Sequence, residues 1–454
     1  MTSPYFSIAI PTKNRPEALH DSIKGVLDQT FDDLEVVVCD NSDSAEAAGT
    51  ADVAAAFDDP RIRYVRTSGD LSMPDNWEHA VAATRGEYAG VLTDRSVLRP
   101  RALEIIQTEI QRTGAPCVSW FGDLYGRDES ASKLKRRGST LRRYRLESAS
   151  LLHYFLNGEA KYATKVIPKL MTAVCHRSIL EEIRSSPIGR CCPPVCPDFT
   201  SGLLILAHTD WVLTIDESLY VSCGHGTGFA FRSRGELGEQ FRRDLGMTWA
   251  EMVDRMPTEA CFSHALVLND LMRLRDALPE RFADLALNRA QYYIGCLNDY
   301  AKAASRGTSE RDDDFYVLLQ ALAGERSAVR TAVEGSRSYR RAETLAALTP
   351  AERAARAEEK RTRPDEDEDT ESFGSVFEAI AWDEANPREP SESGLLDIVA
   401  ELGSDAPCVV DTAFPKRGRS EPNGASGAAR PPETVRSRLR LRTRLRAALG
   451  KTPA

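Results

Sequence analysis

The chain lacks any apolar run long enough to cross a bilayer. Its most apolar internal stretch, Gly202 to Ala207, is far shorter than the roughly 20 residues that a membrane-spanning helix needs. The first residues, Met1 to Ile10, carry neither a basic segment nor a long apolar core, so no secretory signal is expected. We therefore predict a cytoplasmic protein without a transmembrane helix.

The cysteines lack the regular spacing of a disulfide framework. Ten cysteines are scattered over 454 residues, a pattern typical of reduced thiols. Cys191, Cys192 and Cys196 lie near His176 and His208 in sequence, so a zinc site is the alternative to incidental thiols. Standard C-x-x-C pairs are missing and prolines stiffen this loop, so we favour incidental thiols.

A strong excess of positive charge is also absent. The net charge of −9 argues against a general nucleic-acid binder, and no nucleic-acid partner is expected. Hydrophobic residues make up 42% and charged residues 28%, which is ordinary for a soluble protein. At 454 residues the chain exceeds what one hydrophobic core usually organises, so we expect two domains or one domain with appendages.

The first hundred residues alternate short apolar strands with helical segments. This order predicts an α/β fold in which helices cover a parallel sheet. No G-x-G-x-x-G follows the first strand, which disfavours a dinucleotide-dependent dehydrogenase, and the missing glycine-rich loop also disfavours a nucleotidyltransferase. The predicted strands are Phe6–Ile10, Leu34–Cys39, Ile62–Val65 and Tyr88–Leu92.

Polar clusters follow three of these strands. They are Lys13 to Arg15, Asp40 to Asp43, and Asp94 to Ser96. Ligands of such sheets bind beyond the carboxyl ends of the strands. We therefore expect the three clusters to converge on one crevice.

Several runs, in the expected order, resemble family-2 glycosyltransferases. Ser7 to Arg15 and Val36 to Ser42 resemble the opening of that family. Asn76 to Glu78 and Ala83 to Tyr88 are similar to the helix before its metal-motif strand, and a weaker resemblance continues to Gly228. The resemblance implies a GT-A, Rossmann-like fold that binds a nucleotide sugar. It also implies an inverting transferase of the hexosyltransferase type that moves the sugar to a hydroxyl acceptor in glycan or polysaccharide biosynthesis.

The resemblance, helical spacing and composition together divide the chain into three predicted parts. Residues 1–235 are predicted to form the glycosyltransferase domain, with a donor half over about 1–115 and an acceptor half over about 116–235. Apolar positions at helical spacing predict a helical appendage over 236–355. The composition of residues 356–454 predicts a mostly disordered tail with a basic end. Short amphipathic segments interrupt that tail, at Phe373, Phe377 and Ile380, and at Leu395, Ile398, Val399 and Leu402.

The resemblance assigns donor binding to residues of all three clusters. Asp40 would accept hydrogen bonds from a base N–H or a ribose hydroxyl, and Lys13 and Arg15 would hold the donor phosphates. The alternative makes Asp40 to Asp43 a turn and a helix cap. His225 would lie over the donor diphosphate or be an ordinary loop histidine. The predicted donor-binding residues are Pro11, Thr12, Lys13, Arg15, Asp40, Asn76, Asp94, Arg95 and His225.

The third cluster departs from the family pattern. The family usually places two or three acidic residues here, and one or more bind the Mg²⁺ or Mn²⁺ that bridges the diphosphate. This chain has Asp94, Arg95 and Ser96. We predict that Asp94 binds Mg²⁺ or Mn²⁺ together with substrate phosphates and waters. Alternatively, Arg95 stabilises the phosphate charge, or the site has decayed and the chain is a GT-A-like binding module.

The resemblance also supplies a general base. A sugar hydroxyl that displaces a diphosphate needs such a base close to it. The run Pro197 to Gly202 resembles the family's acidic base at the start of a helix, so Asp198 is the predicted catalytic residue. The alternative makes Asp198 a helix N-cap.

The C-terminal end mixes basic and aliphatic residues. Six arginines and four leucines alternate over residues 435–449, which suits an anionic membrane surface, although a solvated charged tail is the alternative. We therefore predict peripheral attachment at the inner membrane face. The expected partners are a nucleotide-sugar donor and a glycan or lipid-linked acceptor.

Overall fold

The computed structural model contains one mixed sheet. It describes residues 3–44, 47–127, 132–157, 166–223, 235–282, 285–308, 311–362, 371–391 and 409–410. The strands are β1 (Phe6–Thr12), β2 (Leu34–Asp40), β3 (Ile62–Arg66), β4 (Tyr88–Val91), β5 (Ser96–Leu98), β6 (Cys117–Arg127), β7 (Ser132–Lys135), β8 (Arg143–Glu147), β9 (Ala173–His176), β10 (Trp211–Ser222) and β11 (Val409–Val410). Their order is β11-β8-β10-β6-β9-β4-β1-β2-β3, with β5 paired to β10 and β7 to β6.

Helices flank this sheet. Two of the early ones begin with a proline in the first turn, where its missing N–H costs nothing and its fixed φ suits a helix. The helices of the α/β domain are α1 (Pro16–Leu27), α2 (Ala47–Ala55), α3 (Met73–Ala82), α4 (Ala102–Thr113), α5 (Ser148–Asn157), α6 (Arg177–Ser185) and α7 (Pro197–Ala207), with a 3₁₀ turn at Leu170–Thr172.

The half of the sheet formed by β1 to β4 is parallel, as predicted. β1 pairs with β2 and β4, and β2 pairs with β3, all in parallel. Every residue of β1 and β2 is buried, because helices cover both faces. Ile8 and Ile10 pack into one core with α1 and α4, and Ala9 packs into a second core with α3. This arrangement explains why both strands are almost continuously apolar.

The other half of the sheet is mixed. β9 runs antiparallel to both β4 and β6, whereas β10 runs parallel to β6 and antiparallel to β5 and β8. The predicted α/β fold is therefore confirmed, with antiparallel strands that the first hundred residues did not predict.

The helical appendage shares a core with the α/β domain. Leu266 and Leu271 of the appendage lie in the same buried cluster as Leu203 and Leu204 of α7. The predicted appendage extends to Thr362, beyond its predicted end at residue 355. Its helices are α8 (Glu236–Asp244), α9 (Trp249–Met252), α10 (Ser263–Ala277), α11 (Pro279–Phe282), α12 (Arg289–Ala304), α13 (Asp312–Ala323), α14 (Ser327–Glu334), α15 (Arg337–Ala346) and α16 (Pro350–Thr362).

Part of the predicted disordered tail is folded, which corrects the prediction for residues 371–391. This segment contains α17 (Val376–Ala385), and its buried Phe373 and Ile380 pack against Val97 of β5 and Val221 of β10. This segment is too polar to form a hydrophobic core of its own, so its apolar side chains pack in a cluster with residues of β5 and β10. The strand β11 adds to the sheet edge at β8.

The remainder of the predicted tail, including residues 435–449, lies outside the described residues. Within the part of the chain that the structure describes, no helix is both long and apolar enough to cross a membrane.

Candidate active site

The first and third polar clusters meet at the carboxyl ends of β1 and β4. The Thr12 hydroxyl donates to Asp94 Oδ2 at 3.0 Å, and Arg15 Nη1 donates to Asp94 Oδ1 at 3.4 Å. The second cluster joins them through Ser42, whose Oγ accepts from the Asn14 backbone N–H at 2.9 Å. The structure therefore brings all three predicted clusters to one edge of the sheet.

Asp40 ends β2 as a completely buried carboxylate. Its Oδ1 accepts from the Ser42 backbone N–H at 2.8 Å, which is the turn role that the alternative predicts. Its Oδ2 accepts from the Tyr64 hydroxyl at 2.6 Å and lies 3.7 Å from Arg66 Nε. Burial and the hydrogen bond to Asp40 raise the pKa of Tyr64. Sequence reasoning missed Tyr64 and Arg66, although both lie on the strand next to Asp40.

The other predicted donor-binding residues around the end of β1 differ in burial and in their contacts. Asn76 is buried on α3 and its Nδ2 donates to the Thr12 backbone carbonyl at 3.3 Å, so it anchors the end of β1. Pro11 is a buried residue of β1. The Lys13 ammonium is partly exposed and lies 3.9 Å from Asp43. Lys13 is thus available to a ligand, whereas Pro11 and Asn76 shape the backbone around it.

Asp94 and Arg95 form the centre of the edge. Burial raises the pKa of Asp94, and the charge of Arg15 opposes that rise. Arg95 is half-buried, and burial followed by the positive charge of Arg15 lowers its pKa. The Arg95 carbonyl accepts from the Cys223 backbone N–H at 2.7 Å. The predicted donor-binding residue His225, which comes after β10 in the sequence, lies outside the described residues.

Asp198 lies in the first turn of α7, and the N-cap of that helix is Cys196. The alternative that makes Asp198 the N-cap is therefore wrong. Asp198 Oδ2 lies 3.6 Å from Lys169 Nζ, which also stands over the Phe199 ring at 3.7 Å. No sequence pattern predicts Lys169, because its ion pair with Asp198 forms only in the tertiary structure.

Sheet register places Lys169, the partner of Asp198, toward the end of the sheet that holds Asp94. β9 runs antiparallel to β4 and aligns Val174 with Gly90. The residues just before β9, including Lys169, therefore lie toward the carboxyl end of β4, as does Asp94. The ion pair with Lys169 brings Asp198 to the same side.

A buried carboxylate of the appendage fixes the start of α7. Asp270 on α10 accepts from the backbone N–H of Val195 at 2.9 Å and of Cys196 at 2.8 Å. These N–H groups immediately precede the helix and would otherwise be buried without a partner. The appendage thus positions the turn that presents Asp198.

Part of the chain is similar to known proteins. Residues 7–183 match the model of glycosyl transferase family 2. The chain is 30% identical over 121 residues to the GalNAc(5)-diNAcBac-PP-undecaprenol beta-1,3-glucosyltransferase of Campylobacter jejuni, which covers 26% of this chain and 38% of that protein. It is 22% identical over 128 residues to glycosyltransferase GlyG of Streptococcus pneumoniae, which covers 28% of this chain and 42% of that protein.

Residues 7–183 therefore form a domain that is similar to family-2 glycosyltransferases. The chain spans less than half the length of either relative. Its structure overlaps that of S. aureus TarS 1-349 in complex with UDP-GlcNAc with a TM-score of 0.44 and 12% identity, over 78% of this chain and 91% of that one.

The metal prediction can be tested on the residues of the family-2 domain. Enzymes of the GT-A type commonly use a divalent cation, and the sequence predicts Mg²⁺ or Mn²⁺ at Asp94. Hard cations require several oxygen ligands. Asp94 is one carboxylate that already accepts from Thr12 and Arg15, and the Arg95 guanidinium adds positive charge beside it. These residues do not fit a divalent ion.

The zinc alternative fails on similar grounds. Cys191, Cys192 and Cys196 are buried thiols that pack in the hydrophobic core. Across the described ranges, no group of three or more His, Cys, Asp or Glu side chains is arranged to hold a metal ion. These three cysteines therefore act as core residues.

Proposed function

We propose that the chain is an inverting glycosyltransferase of the hexosyltransferase type. It moves a sugar from a nucleoside-diphosphate sugar to a hydroxyl acceptor in glycan or polysaccharide biosynthesis. The observation that carries this proposal is the meeting of Lys13, Arg15, Asp40 and Asp94 at one sheet edge, with Asp198 on the same side. Cationic side chains suit a diphosphate, and the nearby carboxylate suits a proton acceptor.

On the donor side, the roles follow from charge and access. Asp40 is buried and accepts from Ser42 and Tyr64 in this structure, so it accepts from the base or the ribose once the donor displaces the Tyr64 hydroxyl. Arg66 lies beside it. Lys13 and Arg15 are partly exposed cations at the mouth of the crevice and contact the diphosphate. Thr12 and Asn76 hold the backbone in place. His225 remains a predicted donor contact.

On the acceptor side, Asp198 is the general base. It takes the proton from the acceptor hydroxyl as that oxygen attacks the anomeric carbon. The new glycosidic C–O bond forms while the bond from the anomeric carbon to the diphosphate breaks, and its electron pair leaves with the nucleoside diphosphate. Attack opposite the leaving group inverts the anomeric centre. The helix dipole favours a carboxylate in the first turn of α7.

The cellular setting is a proposal from composition. A cytoplasmic enzyme attached to the inner membrane face through residues 435–449 would act on a glycan or lipid-linked acceptor. The motive is the cluster of arginines and leucines in an otherwise acidic chain.

A donor panel tests the proposed function. The protein is incubated with nucleotide sugars and a mixture of hydroxyl acceptors, while unfolding temperature and released nucleoside diphosphate are measured. We expect one donor class to raise the unfolding temperature, because a ligand that binds only the native state stabilises it. The same donor should be consumed when an acceptor is present. Binding of a donor without any consumption would instead support the binding-module alternative.

A further inference from the structure

The charged groups around Asp94 point to a ligand of negative charge. We infer that Arg15 and Arg95 hold the donor diphosphate without a divalent cation and that Asp94 serves to position Arg15. This inference rests on the proposed function, because it names how the same site holds its donor.

The Asp94 carboxylate is occupied by its own neighbours. One oxygen accepts the Thr12 hydroxyl at 3.0 Å and the other accepts Arg15 Nη1 at 3.4 Å. Ser96, the next polar residue of the cluster, pairs its hydroxyl with that of Thr93 at 2.7 Å. A divalent ion would gain one carboxylate here, and both oxygens of that carboxylate already accept hydrogen bonds.

Two guanidinium groups flank that single carboxylate. The side chain of Arg15 is 43% exposed and so can reach a ligand while it contacts Asp94. Arg95 follows Asp94 directly, is half-buried, and lies close enough to Arg15 for the two charges to repel. A dication placed here would be repelled by both arginines. A diphosphate would be attracted by both and would relieve their mutual repulsion.

Arginine is chemically suited to the task that the cation performs elsewhere. Its planar fork donates two parallel hydrogen bonds to phosphate oxygens. When the bond to the anomeric carbon breaks, negative charge grows on the diphosphate. Fixed positive groups that already point at this charge stabilise it without reorganisation.

Binding measurements without turnover test the inference. UDP, GDP and ADP are titrated into the full-length protein by calorimetry, once in EDTA and once in excess Mn²⁺. We expect one of them to bind with the same affinity in both conditions. Arg95→Ala should weaken binding roughly tenfold to a hundredfold, the usual loss for hydrogen bonds to a charged group. Arg281→Gln removes the same charge from the appendage surface, where it pairs with Glu182, and should leave binding unchanged.

A reciprocal variant sharpens the test. Arg95→Asp with Ser96→Asp removes one guanidinium and supplies two further carboxylates beside Asp94. This double variant should bind the nucleotide only when Mn²⁺ is present. Loss of wild-type binding in EDTA, or full binding by Arg95→Ala, overturns the inference and leaves the proposed function standing. Absence of UDP, GDP and ADP binding under every condition refutes the proposed function and the inference with it.

Discussion

Two carboxylates at the sheet edge have different surroundings and so suit different tasks. Asp94 is buried, and its two oxygens accept from Thr12 and Arg15, so its carboxylate is held in place by its neighbours. Asp198 is 15% exposed at the start of a helix and has Lys169 as a neighbour. A base must reach its substrate, and the greater exposure of Asp198 favours it over Asp94 as the proposed base.

Substitution of Asp270 tests whether the appendage positions that base. Asp270→Asn replaces a buried carboxylate that accepts from two backbone N–H groups. We expect a loss of about 1.5–3 kcal/mol in the free energy of unfolding, measured by urea titration. Asp276→Asn is the matched control, because Asp276 lies on the same helix with its side chain 40% exposed. Equal stability of the two variants would contradict the assigned role.

Buried thiols predict a loss of stability at alkaline pH. Burial raises the pKa of Cys39 and of Cys191 to about 12 from the ordinary value of 9.0. Between these values the unfolded chain releases the protons that the native chain keeps, so the free energy of unfolding falls as pH rises above about 9. Each thiol contributes roughly 1.4 kcal/mol per pH unit.

Urea midpoints measured from pH 8 to pH 10 check this expectation. Cys191→Ala should show a shallower fall than the wild-type protein. A wild-type midpoint that stays constant over this range, or an equally steep fall in the variant, would contradict the assignment.

At the scale of elements, residues 371–391 support the strands next to Arg95. Phe373 and Ile380 pack on Val97 and Val221, and Val97 belongs to the strand that starts directly after Arg95. Arg388 pairs with Asp383 at 2.8 Å and also with the fully buried Asp123. The segment is thus tied to the sheet by both apolar and ionic contacts.

Arg388→Gln tests the ionic part of that contact. It leaves the buried Asp123 paired with Arg99 at 2.7 Å and accepting from the Arg137 backbone N–H at 2.9 Å. We expect a loss of about 1.5–3 kcal/mol in the free energy of unfolding. Glu384→Gln, on an exposed position of α17, should cost less than about 0.5 kcal/mol.

A chain that ends at Thr362 should unfold at a lower temperature than the full chain, and equal unfolding temperatures would refute the docking.

Sequence reasoning succeeded where the signal was local. Strands β1 and β2 are nearly continuous apolar runs, and the polar residues that end them had to meet because neighbouring parallel strands end at one edge. Tyr64, Lys169 and Asp270 escaped prediction, because each acts through a partner distant in sequence. The packing of Phe373 against the sheet was not predicted, because the residues around it in the sequence are mostly polar. The roles of Asp198 and of the donor residues stay predictions.

At the scale of the whole molecule, the basic end opposes the overall charge. Attraction to a membrane would be local, with each arginine near anionic lipid worth about 1 kcal/mol. We expect the full chain to sediment with anionic liposomes at low salt and a chain that ends at Pro432 to stay in the supernatant. Neutral liposomes serve as the control. Recovery of both chains in the supernatant would exclude the proposed attachment.

The appendage shares the buried cluster of Ala9 and Leu203, so the proposed base and the end of β1 are supported by the same packed core. The central claim is that Asp198 takes the acceptor proton. The direct measurement compares sugar transfer and donor binding for wild-type, Asp198→Asn and Asp210→Asn proteins, with the donor identified by the panel. Asp198→Asn should lower turnover by roughly 10²- to 10⁴-fold while donor affinity is unchanged, and Asp210→Asn, exposed beyond α7, should behave as wild type. Wild-type turnover by Asp198→Asn would contradict the mechanism.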